Sequence, residues 1–189
     1  MIKTAFIVLD VINGITESAQ FKPYLTKYKV ISKINQLLNH CRKEKHLIIF
    51  VKIGFSDHYY ELGHRSPLFI HNKKNSLLKL SDNSTAFSAE LDYRPQDLVV
   101  IKHRINAFYS TTLEAILNAN EINHLILAGV STNLAVEGTA RDAHDRNYKV
   151  TIASDACASN SEEHQQNALS ILKMISEVKT VDEICLISN

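Results

Sequence analysis

Two side chains of opposite charge stand where apolar runs end. Asp10 follows the run Thr4 to Leu9 (TAFIVL), and Lys102 closes the run Asp97 to Lys102 (DLVVIK). A carboxylate beside an ammonium in a partly desolvated cleft forms a charge pair that can hold and move a proton. Singly, each residue also suits a strand-terminal charge resting in solvent; jointly, both fall at one edge of a sheet. A third feature is Gly129-Val130-Ser131-Thr132-Asn133, a tight small-residue passage from an apolar run into a helical stretch. Successive backbone N–H groups at a helix start make a site for an anion or a developing oxyanion. The same pentapeptide equally suits an ordinary strand-to-helix loop with a Thr or Asn cap.

The elements that must position these residues follow from hydrophobic period. Continuous apolar runs predict strands at Thr4 to Leu9, His46 to Ile53, Asp97 to Lys102, His124 to Val130 and Lys149 to Ala153, with a short sixth at Val178 to Val181. Apolar residues at steps of three and four predict helices over Tyr28 to Arg42, Leu113 to Ala119, Thr132 to about Arg146 and Glu162 to Ile175, the last capped by Ser161. Phe55 to Pro95 lacks a clear period and reads as an active-site cover or as a stretch of short elements without assignable bounds. Alternating strand and helix imply a three-layer α/β/α fold around a mostly parallel sheet. In such sheets ligands bind beyond the carboxyl ends of the strands, where strand order reverses. Asp10, Gly54, Lys102, Val130 to Asn133 and Ser154 to Cys157 lie at those ends.

Composition narrows the partners. The 189 residues, with no Pro/Gly/Ser-rich linker, predict a single domain over 1–189. A net charge of +1, from 21 basic and 20 acidic side chains, gives no footprint for nucleic acid or an anionic membrane. No apolar stretch approaches the ~18 to 20 residues of a membrane span. The opening run is too short for a signal core and lacks a small-residue cleavage site. Cys41, Cys157 and Cys185 are odd in number and widely spaced, which suits a reducing compartment. The expectation is a cytoplasmic protein with a small-molecule substrate.

The chemical residues sit in a recognisable order. Asp10 after the first strand, Lys102-His103-Arg104-Ile105-Asn106-Ala107-Phe108, the block Gly129 to Ala143 (GVSTNLAVEGTARDA), and Ser154-Asp155-Ala156 after the fifth strand together resemble the isochorismatase-like hydrolase family. The resemblance covers nearly the whole chain, and the Gly129 to Ala143 block is its most specific part. It implies a six-stranded sheet, dimers or larger homo-oligomers, and, in the family's cysteine hydrolases, an Asp–Lys–Cys triad. Asp10 matches the acid/base and Lys102 the lysine. The Val130–Ser131 peptide matches a position that is cis in the family, directing N–H groups near Ser131 and Ala135 into the site.

The chain departs from that pattern at Ala135, which aligns with the nucleophilic cysteine. A methyl group cannot attack a carbonyl, so thiol-based amide hydrolysis is unsupported. Isochorismatases proper also lack the thiol; they cleave an enol ether by protonation and water attack. The leading expectation is therefore a hydrolase of a small, anionic, non-peptide substrate, with Asp10 as general acid and Lys102 holding it. Two alternatives stand beside it: a non-catalytic small-molecule-binding relative, and a cysteine amidase whose nucleophile Ala135 has replaced. Arg104 and Arg65 are candidates to bind substrate carboxylates in bidentate fashion, though Arg104 also suits a surface salt bridge. Phe108 and Tyr109 either line the pocket or pack beneath the cover. The metal site of the family's nicotinamidases needs an Asp-x-His pair; here Asp57 is followed directly by His58, and His64 and His71 stand alone. No metal and no cofactor are expected.

Overall fold

In the computed structural model, which describes residues 2–187, the chain runs β1 (Thr4–Leu9), α1 (Asn13–Thr16), α2 (Lys22–Lys27), α3 (Val30–Lys43), β2 (Leu47–Ile53), α4 (Pro67–Lys74), a 3₁₀ turn (Asn83–Thr85) and β3 (Leu98–Lys102). It continues through α5 (Leu113–Ala119), β4 (His124–Val130), a π-helical turn (Thr132–Val136), α6 (Glu137–Asp145), β5 (Lys149–Ala158), α7 (Glu162–Leu172), β6 (Glu177–Lys179) and α8 (Val181–Ile187). The six strands form one sheet in the order β3-β2-β1-β4-β5-β6, and every neighbouring pair is parallel.

This order explains the strand sequences. β1 is central, pairing with β2 and β4, and all six of its residues are buried. A strand covered on both faces reads as an unbroken apolar run rather than an alternation. The chain leaves β1 toward β2 and β3, then returns to the other side of β1 as β4. Right-handed crossovers in opposite directions place α3 and α6 on opposite faces. The amphipathic α3 buries Val30, Ile31, Ile34, Leu37, Leu38 and Cys41 in the main core.

Three expectations need correction. The helix expected from Thr132 begins as a π turn, with Val136 N–H donating to Ser131 O at 3.1 Å, and becomes α-helical at Glu137. The fifth strand continues past Ala153 to Ala158, because the register against β4 jumps from Leu127↔Ile152 to Gly129↔Cys157. Four residues bulge between those pairs. Val181, expected at the end of the sixth strand, starts α8 instead.

The expected cap at Ser161 is present: its Oγ accepts from His164 N–H at 3.2 Å, ahead of Glu162 and Glu163 in the first turn of α7. Ser161→Ala is expected to lower stability by about 1 kcal/mol, read as a shifted urea midpoint at constant slope.

The stretch between β2 and β3 is built rather than irregular. Phe55, Tyr59, Leu62, Phe69 and Leu78 form a second apolar cluster with Ile12 and Ile53. Bridges from Phe55 to Lys79 and from Ile12 to Phe87 fasten this cover over the strand tips. Among the described residues no helix is long and apolar enough to cross a membrane.

Candidate active site

The turn after β1 sets the first functional side chain. Asp10 adopts φ 55°, a left-handed conformation that aspartate tolerates better than most residues. Its N–H still donates to Val51 O at 2.8 Å, as if the strand continued. One carboxylate oxygen, Oδ1, accepts from Ile53 N–H at 2.7 Å, and Oδ2 faces Lys102 Nζ at 2.7 Å. Asp10 is 3% exposed and Lys102 1%. Burial pushes the Asp10 carboxyl above its ordinary value of 3.8, against the lowering effect of the Lys102 ammonium and the Ile53 amide.

Lys102 is held from its own side by the loop that follows β3. Its ammonium donates to Arg104 O at 3.1 Å and Ile105 O at 2.9 Å, so three protons meet three acceptors. That loop is fixed in turn by Asn106, whose Nδ2 donates to Asp142 Oδ2 at 2.6 Å, and by Ala107 N–H donating to Thr139 Oγ1 at 3.1 Å. An ammonium so satisfied acts as a fixed cation that orients Asp10.

The third wall comes from the end of β4. Gly129 has φ 127°, and a Cβ there would lie 2.0 Å from Leu9 O. Glycine thus lets β4 press against the last residue of β1, next to Asp10. The Val130–Ser131 peptide that follows is cis. Among the described residues nothing accepts the Ser131 N–H. Thr132 does not cap the turn; its Oγ1 donates to Gln165 Oε1 at 2.7 Å, tying the turn to α7.

These walls enclose a cavity of about 340 Å³, lined by Asp10, Lys102, Val130, Ser131 and Ala135 from the strand ends and the π turn. It lies at the point where strand order reverses, between β1 and β4. Ala135 lines it and is 4% exposed. Five of the residues singled out from sequence therefore meet in one place.

The others do not. Arg104 directs Nη1 to the carbonyls of Glu61 and His103, at 2.7 and 2.6 Å, with its guanidinium over the Phe69 ring; it stays outside the cavity lining. Arg65 is exposed and also outside it. Phe108 packs in the main core, its ring 6.0 Å from Tyr148 and capped by the Arg146 guanidinium at 5.0 Å. Tyr109 is 59% exposed. Ser154 and Asp155 sit in the β5 bulge and bond to Lys179 O and Val181 N–H.

No cysteine lines the cavity among the described residues. Cys157 is 1% exposed, with its thiol against Leu127 O and pushed by burial up to about 12; Cys41 is buried in α3. Asp57 bonds Ser81, and no cluster of three His, Cys, Asp or Glu residues is placed to hold a metal among the described residues.

Sequence reasoning missed the lining supplied by the cover, by α1 and by the residue before α2: Gly14, Phe21, Leu68, Asn72, Leu78 and Ser84. They come from short segments without a period, and no local signal marks them.

A buried acid and a fixed cation thus meet at the reversal of strand order in a six-stranded parallel α/β fold. A family model, the isochorismatase domain, matches residues 4–183. The chain shares 32% identity over 182 residues with the uncharacterised isochorismatase family protein YecD of Escherichia coli O157:H7, covering 96% of this chain and 94% of that one. It shares 30% over 203 residues with the ureidoacrylate amidohydrolase RutB of Stutzerimonas stutzeri (strain A1501), covering 97% and 82%. Among solved structures, an isochorismatase family protein from Burkholderia thailandensis superposes with TM-score 0.80 at 30% identity, covering 95% and 92%. A cysteine hydrolase from Pseudomonas syringae pv. phaseolicola 1448A gives TM-score 0.86 at 23% identity over 97% and 91%, a likeness of fold. The chain belongs to the isochorismatase family, and it is a hydrolase of that family.

Proposed function

We propose that this hydrolase acts on a small, non-peptide molecule by proton transfer at Asp10, held by Lys102, without a protein nucleophile. The observation that carries the reading is the buried 2.7 Å Asp10–Lys102 pair opening on a cavity where Ala135 stands and no cysteine does. Asp10 delivers a proton to the terminal carbon of the enol double bond, water adds to the oxocarbenium centre that results and returns a proton, and the hemiketal so formed collapses to a carbonyl product and the free alcohol. General acid catalysis of this kind is worth about 10² to 10⁴-fold. The unpaired Ser131 N–H is a donor available to an acceptor atom of the substrate. Arg104 and Arg65, the residues expected to bind carboxylates, lie outside the cavity lining, whose basic side chains are Lys102 and His71. A panel of enol ethers and small amides, followed for product release, tests the reading. Turnover of an enol ether supports it; a ligand that binds tightly and is never altered identifies a non-catalytic binding relative instead.

One observation favours a second reading, in which alanine has replaced the nucleophile of a cysteine amidase. Ala135 lines the cavity from the first turn after the cis peptide, the place from which a thiol would attack a substrate carbonyl. Relatives include the amidohydrolase RutB, named for ureidoacrylate. On this reading Ala135→Cys gains hydrolysis of small amides or ureido compounds that the parent lacks, measured as ammonia release. An Ala135→Cys protein as inert toward them as the parent removes it.

A further inference from the structure

We propose that residues 63–76, the part of the cover that carries α4, form a hinged lid that gates the cavity, and that Phe69 beneath the Arg104 guanidinium is its latch. The inference rests on the reading of this cavity as the substrate site. Leu68, His71 and Asn72 of the lid line the cavity, together with Leu77 just beyond it. They share that cavity with Asp10 and Lys102, which are 3% and 1% exposed. Movement of this wall therefore changes access to the catalytic pair.

The two ends of the segment are fastened and its middle is not. Leu62 N–H donates to Tyr59 O at 3.2 Å, and the Tyr59 hydroxyl donates across to Leu77 O at 2.8 Å, so the ends lie close together. Beyond them the cover is sewn to the body: Phe55 N–H donates to Leu78 O, Leu80 N–H to Phe55 O, Asn13 N–H to Ala86 O and Ser88 N–H to Val11 O. Between the ends, Ile70, Asn75 and Ser76 N–H bond within the segment, and Leu77 N–H reaches only Asn72 O. Arg65, Lys73 and Lys74 are exposed and enter no ion pair among the described residues. A surface loop with joined ends and so few ties opens more readily than the strands beneath it. Gly63, where an added Cβ would meet nothing nearer than 3.7 Å, and Ser76, at φ 53°, are the hinges.

Phe69 holds the middle down, as the one buried apolar side chain of the segment. Its ring meets the Phe55 ring edge-on at 5.9 Å and lies 5.6 Å from the Arg104 guanidinium, within range of a cation–π contact. Arg104 is fixed in turn, its Nη1 donating to Glu61 O and His103 O, while its own carbonyl accepts from the Lys102 ammonium. An arginine expected to bind substrate thus joins the latch to the catalytic pair.

Two measurements test this without a substrate. Ala135→Cys places a thiol in the cavity lining, which iodoacetamide alkylates with loss of iodide; peptide mass spectrometry reads the rate at that position. Adding Phe69→Ala or Arg104→Met to Ala135→Cys, with folding checked by thermal unfolding, is expected to speed alkylation by about tenfold and about fivefold. In hydrogen exchange, the α4 amides are expected to exchange at least about 100-fold faster than those of β1, and faster again in both latch variants. Alkylation indifferent to both latch variants, no alkylation in any of them, or α4 amides exchanging as slowly as β1 would overturn the proposal. Both measurements read access alone. Alkylation that follows the latch, in a protein that turns over no enol ether, sinks the proposed function and leaves the lid standing. Turnover that Asp10→Asn abolishes, with alkylation and exchange indifferent to the latch, sinks the lid alone.

Discussion

Asp10→Asn is expected to lower turnover by about 10² to 10⁴-fold and to destabilise the fold at the same time. The first effect follows from removing the only carboxylate among the residues that line the cavity. The second follows from what remains. Lys102, 1% exposed, keeps its two carbonyl acceptors but loses its counter-charge. An uncompensated buried charge costs on the order of 3 to 5 kcal/mol. The two effects separate in Asp10→Asn/Lys102→Met, which removes both charges with little change in volume. Urea unfolding of the double variant is expected to return toward the parent midpoint, while turnover stays at the level of the single variant. A double variant that regains turnover would show that the pair serves the fold and not the chemistry.

Gly129→Ala is expected to be the most damaging single methyl that can be added near the site. The new Cβ would meet three backbone atoms of Leu9, its O at 2.0 Å, N at 2.7 Å and C at 2.8 Å. Backbone in the central strand cannot step aside as a flexible side chain would. The φ of 127° is in addition one that L residues rarely adopt. Relief requires β4 to move off β1, which dislodges both the Asp10 turn and the Ser131 wall. We expect a loss above about 4 kcal/mol, the range reached only by a few named mechanisms, seen as insoluble protein or a strongly lowered thermal midpoint. A soluble Gly129→Ala protein with the parent's midpoint would mean that β4 is not pinned where it lies.

The sheet was legible because its strands are buried on both faces. TAFIVL, HLIIFVKI and HLILAGV are unbroken apolar runs, and each became a strand within a residue of its expected limits. α3 was legible for the matching reason, an apolar stripe at helical spacing. What stayed hidden has a physical cause in each instance. α1, α2, α4 and α8 have four, six, eight and seven residues, too few for a stripe to repeat. Ser154 and Asp155 broke the apolar run of β5, yet their side chains bond to β6 and α8, so the strand carries on.

The candidate site divided along the same line. Asp10, Lys102, Val130, Ser131 and Ala135 stand at strand tips and the turn after them, where topology alone assigns their place. Arg104 and Phe108 are near those tips in sequence, but their side chains turn to the Glu61 carbonyl and to Tyr148. Chain position fixes a Cα far better than it fixes the direction of a long side chain. Asn72 and Ser84 come from the cover, whose position depends on the small cluster around Phe55 and Phe69. That cluster is a tertiary fact with no period to announce it.

The central claim is that residue 10 carries the proton, and the pH dependence of kcat/KM reads it directly. Burial raises this carboxyl above 3.8, and a general acid works only while protonated. The rate is therefore greatest at low pH and falls as pH rises through an apparent pKa above 3.8. In Asp10→Asn the residual rate is expected to show no such descending limb. An identical limb in parent and variant would place the titrating group elsewhere and contradict the account.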